Sequence, residues 1–223
     1  MKRVPAKTRG RPRLAESDER QTRERIVAAA RKLFLRDGVE AVSMRNLASE
    51  VGCSPMALYR YFGSKQEILW QVWDVFLGEL FARLERIQAP SPRERLERLA
   101  FAYLDYWLEH PERYLIVFLQ KDLVPDATRN YLQSSPLVVR FQLLTRAVQD
   151  AQAQGLWADQ DAGDIAQGLL CVLQGLALNF ITLADYPWGD TTELSRQTVR
   201  AYLCGFAEPA AVSERVKRPA RRG

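Results

Sequence analysis

The sequence predicts an all-α protein, and three observations carry that prediction. Apolar residues recur at spacings of three and four from about residue 20 to residue 207, the period of helices that each turn one face to a core. No segment shows the strict alternation of a half-buried strand. Proline falls mainly at the joints between periodic runs, at Pro90, Pro92, Pro111, Pro125 and Pro187, where helices end or begin.

Each element can be justified in order. Residues 1–19 form a basic arm with Pro5, Gly10 and Pro12 and no periodicity, and are expected to be disordered. The first helix starts near Arg20, turns Ile26, Ala29, Ala30, Leu33 and Phe34 inward, and ends at Gly38. Ser43 is the N-cap of a second helix to Val51, with Met44, Leu47, Ala48 and Val51 inward. Gly52 permits a tight turn. Ser54 then caps a short helix from Pro55 to about Tyr61, with Pro at the first helical position and Leu58 and Phe62 buried. Gly63 stops it, and Ser64 starts a long amphipathic helix to about Ile87. After the break at Ala89-Pro90-Ser91-Pro92 come helices near 92–109, 111–121, 128–154, 161–184 and 191–207, with Pro136 breaking or kinking the 128–154 helix.

This order implies four parts. They are the arm at 1–19, a helix-turn-helix domain at 20–66, a helical effector-binding and dimerisation domain at 67–208, and a basic disordered tail at 209–223. With 223 residues, 47% hydrophobic, the chain can bury one good core and a small accessory domain. No apolar run approaches the ~20 residues of a membrane span, and the N-terminus lacks a secretory apolar stretch, so a cytoplasmic protein without membrane contact is expected. Cys53, Cys171 and Cys204 lack paired spacing, and His110 is the single histidine. Buried or half-buried free thiols are therefore expected, and neither a metal nor a cofactor. His110, before Pro111 at a helix boundary, reads as structural.

The net charge of +5 is unevenly placed. Residues 1–65 hold fifteen Lys/Arg against seven Asp/Glu, a net +8, and residues 66–223 hold seventeen against twenty, a net −3. The basic excess coincides with the helix-turn-helix, as expected of a polyanion-binding surface at one end of the chain.

The order of Gly38, Ser43, Leu47-Ala48, Val51-Gly52, Ser54, Leu58-Tyr59, Tyr61-Phe62, Lys65, Glu67 and Leu69 resembles the N-terminal domain of the TetR family of bacterial transcriptional regulators. The resemblance covers roughly Thr22 to Leu77, about a quarter of the chain. Cys53 stands where valine is usual and Ser43 where threonine is commoner; both keep a small side chain or a cap. The resemblance implies a homodimer on double-stranded operator DNA, with the helix after Ser54 in the major groove. Pro55, Met56, Tyr59 and Arg60 are then the exposed base-reading candidates, joined by Arg45. Arg60 has the fork to pair with guanine, or it meets phosphate only; Met56 and Tyr59 suit a thymine methyl. Ser43, Ser54, Tyr61 and Lys65 are the implied phosphate contacts, with packing alone the other reading of Tyr61.

Arg9-Gly10-Arg11-Pro12-Arg13 resembles an AT-hook core, whose arginines suit a narrow A·T-rich minor groove; a nonspecific basic tail is the alternative. Within the helical domain, Tyr103, Trp107, Phe118 and Phe141, with Gln174 and Asn179, are candidates for the pocket of an apolar or aromatic small-molecule effector, and plain core is the alternative. Gly168, Cys171, Gly175 and Leu178 on one helix face, and Leu194, Thr198, Ala201 and Gly205 on another, are candidates for a four-helix dimer interface; packing within one chain is the alternative. The expected function is a ligand-released repressor on a palindromic operator, with activation or nonspecific architectural DNA binding as alternatives. No glycine-rich phosphate loop, nucleophile elbow or HExxH motif points to an enzyme.

Overall fold

The computed structural model describes residues 14–120, 139–157 and 160–205, together with Tyr131 and Ser135. Among these the regular elements are all helices: α1 (Leu14–Asp37), α2 (Met44–Val51), α3 (Pro55–Tyr59), α4 (Lys65–Leu84), α5 (Pro92–Glu109), α6 (Pro111–Phe118), α7 (Gln142–Gln152), α8 (Ala162–Thr182) and α9 (Thr191–Gly205). The all-α expectation holds.

The described residues fall into two compact units. One runs through Val75 and takes in the stretch from Ile116; the other holds Phe76 to Leu115 and the later helices. The division therefore lies within α4, about nine residues beyond the expected boundary at 66/67. The physical reason is visible in the first unit. Val72 and Trp73 are buried there, and the Trp73 indole N–H donates to the Ile116 carbonyl at 2.9 Å, so that unit keeps more of α4 than its first turn.

In the first unit α1 packs on α2 and α2 on α3, around Ile26, Ala30, Phe34, Leu47, Ala48 and Leu58, all 1% exposed or less. α1 begins at Leu14, six residues before the expected start at Arg20. From Ser17 on this stretch is exposed and held by local contacts: Arg20 to Glu24 at 3.0 Å, Arg23 to Glu19 at 3.7 Å, and the Thr22 hydroxyl to the Asp18 carbonyl at 2.8 Å. Such i,i+4 pairs support a helix independently of apolar periodicity.

In the second unit α5 packs on α7, α8 and α9, and α8 also packs on α7 and α9. Ser91 caps α5 by accepting from the Glu94 N–H, and Asp161 caps α8 by accepting from the Asp164 N–H. The His110 carbonyl accepts from the Arg113 and Tyr114 amides and so opens α6, and its ring packs edge-on against Tyr106 with centroids 5.2 Å apart. Of the expected 128–154 helix the described part is Gln142–Gln152, and Pro136 lies outside the described residues.

Two expectations need correction. α8 is long and apolar enough, by length and composition, to cross a membrane, although no such run was expected. Its polar residues, Gln167, Gln174 and Asn179, interrupt the run without adding charge, and Asp164 is its one ionisable acid. Second, Cys171 and Cys204 are exposed rather than buried or half-buried, the Cys204 thiol accepting from the Arg93 guanidinium of α5 at 3.3 Å; Cys53 is half-buried.

Candidate nucleic-acid interface

The interface is assembled by caps and one glycine. Ser43, in extended conformation, accepts from the Asn46 N–H at 3.1 Å and starts α2. Gly52 takes φ 78°, in the left-handed region, and its N–H closes α2 on the Ser49 carbonyl. A Cβ there would meet nothing within 4 Å, so the turn requires glycine for its dihedral and not for space. Ser54 accepts from the Ala57 N–H at 3.1 Å and starts α3 with Pro55 at its first position. Leu58 and Phe62 are buried at 0% and 4% exposure and pin α3 to the unit.

With that face buried, the other face of α3 is open. Met56 is 76% exposed and Tyr59 51%, and Pro55 and Arg60 are exposed beside them. Arg45, in the first turn of α2, is exposed too. α3 is shorter than expected and ends at Tyr59, with Arg60 as its C-cap; the Tyr61 and Phe62 amides still donate to the Leu58 carbonyl and extend the turn. Nearby acids are engaged locally: Glu50 with Lys32 at 3.0 Å, and Asp37 with Arg36 at 2.7 Å, which holds the Asp37 carboxyl below its ordinary range.

The four phosphate candidates differ. Ser54 accepts the α3 cap bond and its hydroxyl hydrogen is a further donor. Ser43 is more committed, because its hydroxyl also donates to Asn46 Oδ1 at 2.6 Å, a partner the sequence did not reveal. Tyr61 is half-buried. Lys65 is half-buried and its ammonium donates to the Val39 carbonyl at 3.0 Å, tying the start of α4 to the loop after α1. Sequence reasoning also missed Arg23, whose guanidinium lies 5.1 Å over the Phe62 ring. Arg9, Arg11 and Arg13 lie outside the described residues.

The family model described as bacterial regulatory proteins of the tetR family matches residues 26–72, the span that builds this face. The chain is 30% identical to the TetR-family transcriptional regulator PfmR from Thermus thermophilus, covering 81% of this chain and 97% of that one with a TM-score of 0.58. This chain belongs to the TetR family of bacterial transcriptional regulators. A protein of unknown function from Rhodococcus sp. RHA1 has the same fold at 26% identity, covering 84% and 96% of the two chains, with a TM-score of 0.67. Among curated relatives, the HTH-type transcriptional repressor KstR2 of Mycolicibacterium smegmatis is 30% identical over 98 residues, 43% of this chain and 47% of that protein. The chain spans less than half the length of the first curated relatives it matches, at 38%, 47% and 33%.

The TetR-family likeness extends over the helical unit, whose candidate residues behave differently from one another. Tyr103 and Trp107 on α5 are buried, with ring centroids 6.2 Å apart. Gln174 on α8 donates to the Tyr103 hydroxyl at 2.8 Å and accepts from the Tyr114 hydroxyl at 2.9 Å. Burial pushes both phenols above their ordinary pKa, so each is a neutral hydroxyl at physiological pH. Phe141 packs edge-on against Phe81 at 4.9 Å, and the Asn179 amide donates to the Gly175 carbonyl of its own helix. Phe118 is exposed and groups with the first unit.

Gly168, a candidate for the dimer face, meets a neighbour within its own chain. A Cβ there would lie 2.0 Å from the Tyr202 hydroxyl of α9, so the close approach of α9 to α8 at this point has room for glycine. Gly175 is half-buried with nothing within 4 Å of an added Cβ. Cys171 and Leu178 on α8, and Ala201 and Gly205 on α9, are exposed; Thr198 is half-buried and its hydroxyl donates to the Leu194 carbonyl.

Proposed function

We propose that this protein is a homodimeric repressor that binds a palindromic or near-palindromic operator and is released by a small apolar or aromatic effector. The observation that carries the DNA-reading part is the open face of α3. A five-residue helix, pinned by Leu58 and capped by Ser54, presents Pro55, Met56, Tyr59 and Arg60 together to solvent. The outward methionine and tyrosine suit thymine methyls, and Arg60 and Arg45 suit guanine or phosphate. Ser43, Ser54 and Tyr61, with the amides opening α3 and α4, take the backbone, and Lys65, bonded to the Val39 carbonyl, steadies the turn between α3 and α4. Arg9, Arg11 and Arg13 precede α1 directly and read the flanking minor groove.

Pairing through α8 and α9 is supported by an imbalance. α8 is apolar enough to span a membrane, yet only 28% of its most apolar window is buried within the chain. Covering that face with α8 and α9 of a second copy removes apolar surface from water, with Gly175, Thr198, Ala201 and Gly205 at the contact. The effector occupies the region of Tyr103, Trp107 and Gln174, where it competes for the hydroxyl and amide bonds that now close on one another. α4 belongs by its first part to one unit and by its second to the other, so a shift in its second part alters the spacing of the two α3 helices. Reading chromosomal operators places the protein in the bacterial cytoplasm.

The test is selection of binding sequences from random DNA by the purified chain, at a single salt near 150 mM because affinity depends steeply on salt. Enrichment of an inverted repeat bound by two copies supports the reading. Recovery of unselected DNA at equal affinity overturns it.

A further inference from the structure

We propose that Arg23 is a phosphate contact of the DNA interface, held in place by its stack on Phe62. The proposal rests on the DNA-binding reading above and deepens it. Its basis is a mismatch at the turn between α3 and α4. The cation that the sequence supplies there, Lys65, directs its ammonium to the Val39 carbonyl. The guanidinium of Arg23 arrives at the same turn from α1 and sits 5.1 Å over the ring of Phe62, two residues after Arg60 and next to Tyr61.

Three physical features suit this group to a phosphate. Its side chain is 45% exposed, and its acidic neighbour Glu19 stands 3.7 Å away in an exposed i,i+4 pair that salt and solvent weaken. A guanidinium held over an aromatic ring by cation–π attraction uses none of its N–H donors in that contact, so they are left for an anion. A stacked arginine has also lost much of its rotamer freedom before DNA arrives, so less order is lost on contact.

The test compares the full-length wild type, R23Q and R23K on the selected operator across a salt series. One phosphate contact contributes about 0.9 to the slope of log affinity against log salt, so R23Q in a dimer should flatten the slope by about 1.8. At about 150 mM salt that corresponds to roughly thirty-fold weaker binding, equal on operator and unrelated DNA. R23K, which keeps the charge, should retain most of the slope. A wild type that selects no sequence sinks the DNA-binding reading itself. A wild type that binds normally while R23Q keeps the full slope, with or without a lower melting temperature, overturns the proposal and leaves Arg23 as a lid on Phe62. Loss of R23Q affinity with an unchanged slope overturns it as well. If R23Q fails to fold, R23M, which keeps an aliphatic stem over Phe62 without the charge, decides: a slope flattened by about 1.8 supports the contact, and an unchanged slope overturns it.

Discussion

Substituting Gly168 tests the way α8 and α9 cross. An alanine Cβ would stand 2.0 Å from the Tyr202 hydroxyl, 2.9 Å from Cζ and 3.2 Å from Cε2. Ordinary contact begins at 3.4 Å, so the phenol must retreat by about 1.4 Å. That retreat breaks its 2.9 Å hydrogen bond to the Ile165 carbonyl. Losing the bond costs about 0.5–1.5 kcal/mol. Forcing the ring aside adds about 1–3 kcal/mol of repacking. Alanine returns about 0.8–1.0 kcal/mol of helix propensity. The net expectation for Gly168→Ala is a loss of about 0.5–3.7 kcal/mol, read by urea unfolding at fixed protein concentration. Tyr202→Phe removes the nearest atom, so the double variant should show coupling of at least about 0.5 kcal/mol. A Gly168→Ala protein more stable than wild type by about 1 kcal/mol, with no coupling to Tyr202, would refute the reasoning. So would a loss seen only under dilution, which would put Gly168 on the subunit interface.

Three further outcomes are expected. Gly52→Ala places a Cβ at φ 78° and should cost about 1–2 kcal/mol from the dihedral alone, visible as a lower melting temperature. Arg60→Ala should lower discrimination at one operator position by about 1–3 kcal/mol if the arginine reads guanine, whereas a uniform loss over all sequences marks a phosphate contact. Stability should fall as pH drops below about 4, the ordinary range of these carboxyls. Hydrogen bonds from Arg140 and Arg83 hold the Glu85 and Glu109 carboxyls below their ordinary value, so their contribution is present above the unfolded pKa and lost as pH falls through the folded one. Asp105, raised chiefly by burial, works in the opposite sense and offsets part of the loss. Both pairs are exposed, which keeps each below about 1 kcal/mol. Glu85→Gln should flatten the acid limb of a melting-temperature series, and an unchanged limb would remove Glu85 from the account.

Local chemistry was legible in the residues themselves. Ser43, Gly52, Ser54 and Pro55 each specify a backbone conformation through a bond or dihedral that spans only a few neighbours, so the helix-turn-helix and the outward set of α3 follow from order alone. The apolar period likewise marked α4, α5, α8 and α9, because a helix reports its buried face wherever it packs. The start of α1 at Leu14 was not marked by the apolar period, and charge pairs support the turns that follow it. What only the tertiary structure decided were meetings of residues far apart in the chain: Lys65 with Val39, Arg23 with Phe62, Gln174 with Tyr103 and Tyr114, and Gly168 with Tyr202. A glycine on a helix face reads the same in sequence whether a tyrosine of its own chain or a second subunit fills the space above it. A cation's residue type is equally silent about whether its charge meets a carbonyl or stays open to solvent. Those choices depend on which surfaces the packed helices bring within a few ångströms of each other, and that is a property of the assembled core.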